Sequence, residues 1–382
     1  MSSKAHLRLV FALVPLILIG VGYGAGYLTA AYPTSRQIQR RAAARTLGSI
    51  AADDAERRAA FSQAYFDPTQ ALAELDAYSW SVPTTPAPFL NYVPQPGSWD
   101  NAEINAQGLR DARPLTLPKP PEARRVFLVG GSTAYGSGAP SQDRTIGAYL
   151  ERALKDAGVA AEVWTFASPA WTSTHERIAI VNRVSEWEPD LVVTLSGAND
   201  TYWSQYGHDT LWARTYEDAH FYALLDQAYT SAGQPLIDVT QVRPDPYDPA
   251  EVARRFRKNV TLARAALGEV PLLVALQPAL ALSKKPLSAR EQAALDAKRA
   301  EFERRAVRDG GEVFDEPAYW AACFDGFAAA LAEREVQALD LRGVFDERSA
   351  DDEVFLDAMH FGDRGNQWIA AALAPRVVDL LE

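Results

Sequence analysis

Three residues of this chain have the types and surroundings that nucleophilic catalysis requires. Ser132 follows a short apolar run and two glycines, so the backbone there can turn sharply and present the hydroxyl group. His360 stands three residues after Asp357, a spacing that lets the carboxylate hold one ring nitrogen and fix the tautomer. A serine hydroxyl is a poor nucleophile until a base removes its proton, and histidine has a suitable pKa near neutrality. The three residues therefore predict acyl transfer through a catalytic triad.

Two other interpretations apply to the same residues. The glycine-rich stretch around Ser132 could cradle a phosphate, but it lacks the Gly-Lys-Ser/Thr of a P-loop and the G-x-G-x-x-G spacing. His360 could be a hydrogen-bonded surface or core histidine. Among the five histidines, however, only His360 has an aspartate three residues before it, which favours the catalytic interpretation.

The residues from 124 to the end of the chain predict the scaffold that must bring these side chains together. Short apolar runs alternate with helical stretches. Strands are predicted at 125–129, 161–166, 191–195 and 272–276, and helices at 146–157, 176–187, 252–267, 288–308 and 366–381. Continuous apolar strands between helices are typical of the α/β class, here a three-layer α/β/α domain with a mainly parallel sheet.

Polar residues stand directly after the predicted strands. Ligands and reacting groups gather at the carboxyl ends of strands in such sheets, so we expect these residues to share one edge. The groups that follow the four strands in turn are Gly130 to Thr133, Ala167 to Ala170, Ser196 to Asp200, and Gln277 with Pro278.

From about Arg124 to Glu382 the chain resembles the SGNH, or GDSL-type, hydrolase superfamily. The first motif, Gly-Asp-Ser, corresponds to Gly130-Gly131-Ser132, and the last, Asp-x-x-His, corresponds to Asp357-Ala358-Met359-His360. The third motif, Gly-x-Asn-Asp, matches Gly197-Ala198-Asn199-Asp200 in full. The resemblance implies a flavodoxin-like fold and a serine esterase that needs no metal or organic cofactor.

The resemblance also implies an oxyanion hole made of the Ser132 N–H, the Ala170 N–H and the side-chain amide of Asn199. Gly131, Gly197 and Asp200 would support it, although Asn199 and Asp200 could instead form a turn or a helix N-cap. The chain departs from the family pattern twice. Gly131 stands where the family has aspartate, and Ala170 stands where it has glycine.

The N-terminus predicts a membrane anchor. Residues 9–31 carry no charge, and about 20 apolar residues suffice to cross a bilayer. A cleaved signal peptide is the alternative, but its apolar region is only about 7–15 residues long. We expect a short cytoplasmic tail at 1–8, a single transmembrane helix at 9–31, and a catalytic domain outside the cytoplasm. The positive-inside rule argues against that orientation, because four arginines follow the span.

The remaining segments are predicted to connect and cover the catalytic domain at 124–382. Residues 32–123 read as a stalk helix, over 35–78, and a proline-rich linker or strap, over 81–123. Residues 201–250 form an aromatic-rich insertion that follows Asn199 directly. Its aromatic side chains could recognise a sugar or an acyl group, or could form a small satellite core.

Charge and composition limit the partners. Residues 1–50 carry six basic and no acidic side chains, which leaves −17 on the rest of a chain whose net charge is −11. Such an acidic body repels phosphate backbones, so nucleic acid is not expected as a partner, and the single cysteine excludes a disulfide within the chain. We expect an esterase acting on O-acyl groups, in particular O-acetyl groups, of a polysaccharide or lipid. The alternatives are an O-acyltransferase with the same triad and a non-catalytic carbohydrate-binding or assembly protein.

Overall fold

The computed structural model describes residues 21, 62–69, 84–99, 101–212, 229–234, 243, 245–332 and 336–382. The chain divides into two units, residues 1–49 and 50–382, and the second contains every described residue except Val21. Apart from Val21, the predicted transmembrane segment 9–31 lies outside the described residues. Across the described part of the chain, no helix has the length and apolar character needed to span a membrane.

The regular elements of the second unit are numbered here in chain order. The strands are β1 (Thr84–Ala87), β2 (Asn91–Pro94), β3 (Gly97–Trp99), β4 (Ala102–Ile104), β5 (Arg124–Gly130), β6 (Ala161–Ala167), β7 (Leu191–Ser196), β8 (Leu272–Leu276) and β9 (Gln337–Asp340). The α-helices are α1 (Ser132–Tyr135), α2 (Ile146–Asp156), α3 (Ser173–Asn182), α4 (Ala198–Gln205), α5 (Pro249–Ala266), α6 (Ala289–Asp309), α7 (Glu316–Ala332) and α8 (Asp363–Leu381). Short 3-10 helices cover Ser62–Ala64, Gln142–Arg144, Val184–Trp187, Thr210–Trp212 and Leu280–Leu282.

A five-stranded parallel sheet forms the centre, in the order β6-β5-β7-β8-β9. The predicted α/β class and parallel sheet are therefore confirmed, and β5 to β8 lie where the apolar runs predict them. The fifth strand, β9, was not predicted. It is an edge strand whose residues are half-buried and exposed in alternation, so it contains no continuous apolar run.

Helices cover both faces of this sheet because the side chains of each strand alternate between the faces. In β5, Phe127 and Val129 belong to one apolar core together with residues of α3, α5 and α7. Val126 and Leu128 belong to a second core together with residues of α2 and α8. Burial of each such side chain stabilises the fold by about 1.5–3 kcal/mol, so the two cores fix the sheet between its helices.

The proline-rich segment before β5 is a strap on this domain. It contains two antiparallel hairpins, β1-β2 and β3-β4. The guanidinium group of Arg110 donates hydrogen bonds to the carbonyl oxygens of Tyr135 and Gly136, both at 2.9 Å, and so ties the strap to the end of α1. Because the strap donates into the turn after Ser132, it belongs to the surroundings of the predicted site.

The predicted stalk helix over 35–78 is only partly described. The 3-10 helix Ser62–Ala64 is followed by bends through Asp67, so a continuous helix does not run through these residues. The hydroxyl of Tyr65 donates to the Gly138 carbonyl at 2.7 Å, and the N–H of Phe66 donates to an Asp363 carboxylate oxygen at 2.8 Å. This short segment is therefore docked on the domain. The rest of the predicted stalk lies outside the described residues.

Candidate active site

The structure brings Ser132, His360 and Asp357 into a row at the carboxyl edge of the sheet. Ser132 is the first residue of α1, directly after β5 and Gly131. Its Oγ lies 2.7 Å from Nε2 of His360, and Nδ1 of the same ring lies 2.7 Å from Oδ2 of Asp357. The side chains of His360 and Asp357 are 17% and 26% exposed, so the row is screened from solvent but remains reachable.

The local chain around Asp357 fixes its carboxylate. Oδ1 accepts the N–H groups of Met359 and His360, both at 2.9 Å, which leaves Oδ2 for the imidazole. Burial on its own would raise the pKa of Asp357, but the charge and hydrogen bond of His360 and the two N–H groups lower it to about 2. Burial on its own would lower the pKa of His360, but the charge and hydrogen bond of Asp357 raise it. Asp357 is thus ionised at neutral pH and makes the imidazole a stronger base.

Two side chains, one after β5 and one after β8, hold the loop that carries His360. The Met359 carbonyl oxygen accepts a hydrogen bond from Thr133 Oγ1 at 3.2 Å and another from Gln277 Nε2 at 3.1 Å. Gln277 directly follows β8, so its position at a strand end was visible in the sequence, but nothing in the residue type indicated its role. Together these bonds link the loop to the ends of β5, which carries the nucleophile, and of β8.

A buried ion pair holds the residues that directly precede this loop. Lys285 and Glu291 lie 2.7 Å apart, and neither side chain is exposed. The second carboxylate oxygen of Glu291 accepts the N–H groups of Val354 and Phe355 at 2.9 and 3.1 Å. Sequence reasoning missed the role of Glu291, because the two N–H groups that it binds lie more than 60 residues away in the chain.

The residues proposed for the oxyanion hole lie together next to Ser132. The side-chain amide of Asn199 donates to the Trp171 carbonyl oxygen at 2.8 Å, and its second N–H remains for another acceptor. Within the described residues, the N–H groups of Ser132 and Ala170 donate to no acceptor. Ala170 has a φ of 65°, a left-handed conformation that glycine adopts without strain. This explains physically why the family pattern has glycine at this position.

Gly131 explains why Asn199 can approach Ser132. A Cβ atom at position 131 would lie 2.2 Å from Nδ2 of Asn199 and 3.1 Å from the Trp171 carbonyl oxygen. No side chain can occupy that space while Asn199 stays in place. The departure from the family pattern at this position therefore fits the local packing in this chain.

Gly197 and Asp200 shape the turn after β7. Gly197 has a φ of 100°, and a Cβ atom there would lie 3.2 Å from Phe324 and Phe327. Asp200 does cap a helix, but the capped helix is α3, whereas Asp200 itself lies in α4. Its carboxylate accepts the N–H and the hydroxyl of Ser173, the first residue of α3, at 2.9 and 2.6 Å. Asp200 thereby joins α4, which carries Asn199, to the helix that follows the Ala170 turn.

Burial changes the ionisation of the carboxylates in this region. Asp200 is only 1% exposed, and burial raises its pKa to about 6 against the hydrogen bonds of Ser173. Burial, together with the charge of Asp200, raises the pKa of Glu176 as well. The carboxylate of Glu176 is bound by the hydroxyl of Ser196, at the end of β7. These two acids form the buried polar support beneath the Asn199 side of the site.

The aromatic residues after Asn199 mainly form a satellite core. Tyr206 stacks on Phe302 of α6 with ring centres 6.0 Å apart, and Trp203 and Tyr247 are buried. Among the described residues of 201–250, these contacts favour the packing interpretation over an open aromatic platform for a sugar. The rest of the insertion lies outside the described residues.

A small recess lies beside the loop of Asp357 and His360. Its enclosed volume is about 10 Å³, room for about one water molecule, and the rest of it is open to solvent. The wall is mostly apolar, but it contains the ammonium group of Lys298 and the carboxyl group of Glu316, whose pKa is raised by burial. Leu280, Leu295, Trp320 and Ala358 also line the recess.

The chain is similar to solved structures at low sequence identity. Similar structures include "TesA" (15% identity, TM-score 0.40, covering 67% of this chain and 99% of that chain) and the acetyl xylan esterase AlAXEase (13%, 0.40, 66% and 99%). Est24, a carbohydrate acetylesterase from Sinorhizobium meliloti, is 15% identical with a TM-score of 0.38 and covers 67% of this chain and 99% of its own. No curated protein matches the chain.

The model of the GDSL-like Lipase/Acylhydrolase family matches residues 128–368, well over half of the chain. The chain therefore belongs to the GDSL-like lipase/acylhydrolase family and is an ester hydrolase, as its three motifs predicted.

Proposed function

We propose that this protein is a serine esterase that hydrolyses O-acyl esters, with Ser132 as the nucleophile. The observation that carries the proposal is the continuous row from the Ser132 hydroxyl through the His360 imidazole to the Asp357 carboxylate, with 2.7 Å at each step. Both distances lie within the range in which a proton can be transferred between the groups. A serine that had only a structural role would not require a basic imidazole aligned in this way.

The proposed reaction has two halves. In the first, Ser132 Oγ attacks the ester carbonyl while Nε2 of His360 takes the hydroxyl proton. The tetrahedral intermediate then breaks the bond to the alcohol, which leaves with that proton from His360. In the second half, His360 removes a proton from water while the water oxygen attacks the carbonyl carbon of the acyl-serine. The bond between that carbon and Ser132 Oγ then breaks. His360 returns the proton to Oγ, and the carboxylic acid leaves. Throughout, Asp357 stays ionised and holds the imidazole in the required tautomer.

The negative charge that develops on the carbonyl oxygen needs donors that are already in place. We assign this task to the N–H groups of Ser132 and Ala170 and to the second amide hydrogen of Asn199. The assignment is supported by the absence of other acceptors for these two N–H groups within the described residues, and by the contact of Asn199 with the Trp171 carbonyl. Loss of one such donor typically costs about 10²–10³ in rate.

We further propose a short acyl group, such as acetyl, on a carbohydrate as the substrate. Lys298 and Glu316, which line the recess beside Ala358, offer a donor and an acceptor to the hydroxyl groups of a sugar. The uncharged segment 9–31 supports a single-pass anchor. We propose in addition that the catalytic domain lies outside the cytoplasm.

The nucleophile can be tested with p-nitrophenyl acetate and the full-length chain in detergent. We expect Ser132→Ala to lower kcat by at least about 10³, as the loss of a triad member usually does. Labelling of the wild type by a fluorophosphonate, and its absence in the variant, would locate the reaction at this serine. Equal rates for the two proteins would refute the assignment. Transfer of acetyl to an added sugar in preference to water would replace the hydrolase by an acyltransferase.

A further inference from the structure

Tyr92 of the strap makes hydrogen bonds on both sides of Ala170. Its side chain is almost fully buried, at 5% exposure, and its hydroxyl donates to the Pro169 carbonyl oxygen at 2.9 Å. Its own carbonyl oxygen accepts the indole N–H of Trp171 at 3.3 Å. The residues immediately before and after Ala170 are thus both bound to one residue of the strap, which lies 77 positions earlier than Pro169.

Ala170 needs such support because of its backbone conformation. Its φ of 65° lies in the left-handed region, where the Cβ of an L-residue crowds the backbone. A residue of this kind keeps its conformation only when the surrounding structure holds it there. Contacts that bind both neighbours of Ala170 are the kind of restraint that this requires.

The same short turn positions two of the three proposed oxyanion donors. The Ala170 N–H is one of them, and the Trp171 carbonyl oxygen holds the amide of Asn199 at 2.8 Å. The indole of Trp171 also stacks on His175, with ring centres 6.0 Å apart and planes 5° apart, and His175 in turn contacts the ring of Tyr92. Movement of the Tyr92 contact would therefore change both donors together.

From these contacts we infer that Tyr92 is a positioning residue for the oxyanion hole, acting by holding Ala170 in the left-handed conformation. The inference rests on the proposed function, because it assumes that Ala170 and Asn199 stabilise the reacting carbonyl. It gives the strap a part in catalysis that acts through the Ala170 turn.

The test uses Tyr92→Phe, which keeps the ring and removes only the hydroxyl. We expect kcat for p-nitrophenyl acetate to fall about tenfold, less than the 10²–10³ for complete loss of a donor, with KM changed less than twofold. Glycine adopts a positive φ without strain, so Ala170→Gly should restore kcat in the Tyr92→Phe background to within about twofold of Ala170→Gly alone. A residue that only stabilised the fold would not show this rescue.

Tyr65→Phe is the matched control. Tyr65 is also a fully buried tyrosine of the N-terminal region. Its hydroxyl also donates to a carbonyl oxygen, but that oxygen belongs to Gly138 and not to the Ala170 turn. We expect its kcat to stay within twofold of the wild type. Active-site titration with a fluorophosphonate corrects each rate for any unfolded fraction.

Three outcomes would overturn the inference. They are an unchanged kcat in Tyr92→Phe, an equal loss in Tyr65→Phe, and a failure of Ala170→Gly to restore the rate. The proposed function is tested separately by Ser132→Ala on the same ester. If that variant is as fast as the wild type, the esterase assignment fails before Tyr92 is considered.

Discussion

Asp357 and Asp200 support the two halves of the proposed machinery, and their pKa values are shifted in opposite directions. Asp357 faces the imidazole of His360, and its pKa is about 2. Asp200 faces the N–H and hydroxyl of Ser173, and its pKa is about 6. Burial acts against the charge of both carboxylates, so their different partners decide the outcome.

The difference shows what each carboxylate can do. An ionised carboxylate beside an imidazole stabilises the imidazolium that forms when His360 takes the serine proton. The carboxylate of Asp200 is bound by the N–H and hydroxyl dipoles of Ser173 and has no imidazolium to stabilise. It serves to connect α3 with α4. The first should therefore matter for the rate of reaction, and the second for the stability of the support under Asn199.

The sharpest test of this contrast is the removal of each charge in turn. We expect Asp357→Asn to lower kcat by about 10⁴, because the amide favours the wrong imidazole tautomer and stabilises no imidazolium. Asp200→Asn should lower kcat by less than about tenfold, since it contacts no reacting group. Steady-state kinetics of both variants with one ester measure the difference. Comparable losses of rate would show that the contrast between the two carboxylates is wrong.

A smaller effect is expected at the residues that Asp200 supports. Asn199→Ala removes one proposed oxyanion donor and should lower kcat by about 10²-fold with little change in KM. Gly131→Ala should give a loss of similar size without removing any donor, because its Cβ would lie 2.2 Å from the amide nitrogen of Asn199. As a control, Gly311→Ala should leave the rate unchanged, because a Cβ there contacts nothing within 4 Å. Full activity in both Asn199→Ala and Gly131→Ala would remove Asn199 from the proposed oxyanion hole.

The parts of the molecule that could be predicted from sequence are those with a local pattern. Continuous apolar runs such as 191–195 and 272–276 mark buried parallel strands, and the polar residues after them mark the edge that carries the site. Asp357 and His360 could be paired because three residues separate them. Helix α7 was missed because apolar side chains such as those of Trp320 and Phe324 leave no single apolar stripe.

Other features depend on contacts between distant parts of the chain. Tyr92 lies in a proline-rich segment that predicts only extended backbone and turns, and its partner Pro169 is 77 residues away. The docking of Phe66 on Asp363 spans 297 residues. No residue type at these positions indicates the partner, so only the folded structure shows that the segments before β5 reach the site.

The pH dependence of activity tests the Asp357 half of the comparison in another way. His360 must be neutral to accept the serine proton, so kcat/KM should rise about tenfold per pH unit at low pH and level off above its pKa. The net effect of Asp357 raises that pKa above 6.5, so the inflection of the wild type should lie above 6.5. The residual activity of Asp357→Asn should show an inflection at lower pH. An unchanged inflection would mean that another group controls the profile.

The smallest predicted effect is on the stability of the protein, and it tests the part of the comparison that concerns Asp200. The pKa of Asp200 is about 6 in the folded protein and 3.8 for a free aspartate, so the folded state binds the proton more tightly. The resulting stabilisation is complete below about pH 4 and is lost as the pH rises through 6, by at most about 3 kcal/mol. We expect Asp200→Asn to remove this part of the decline in the free energy of unfolding between pH 4 and 7, measured by urea denaturation.

Asp357→Asn should keep the decline between pH 4 and 6, because Asp357 has a pKa of about 2 and stays ionised across that range. If Asp200→Asn kept the full decline, the buried acid that titrates there would be another one, and Glu176, whose pKa is also raised, would be the next to replace.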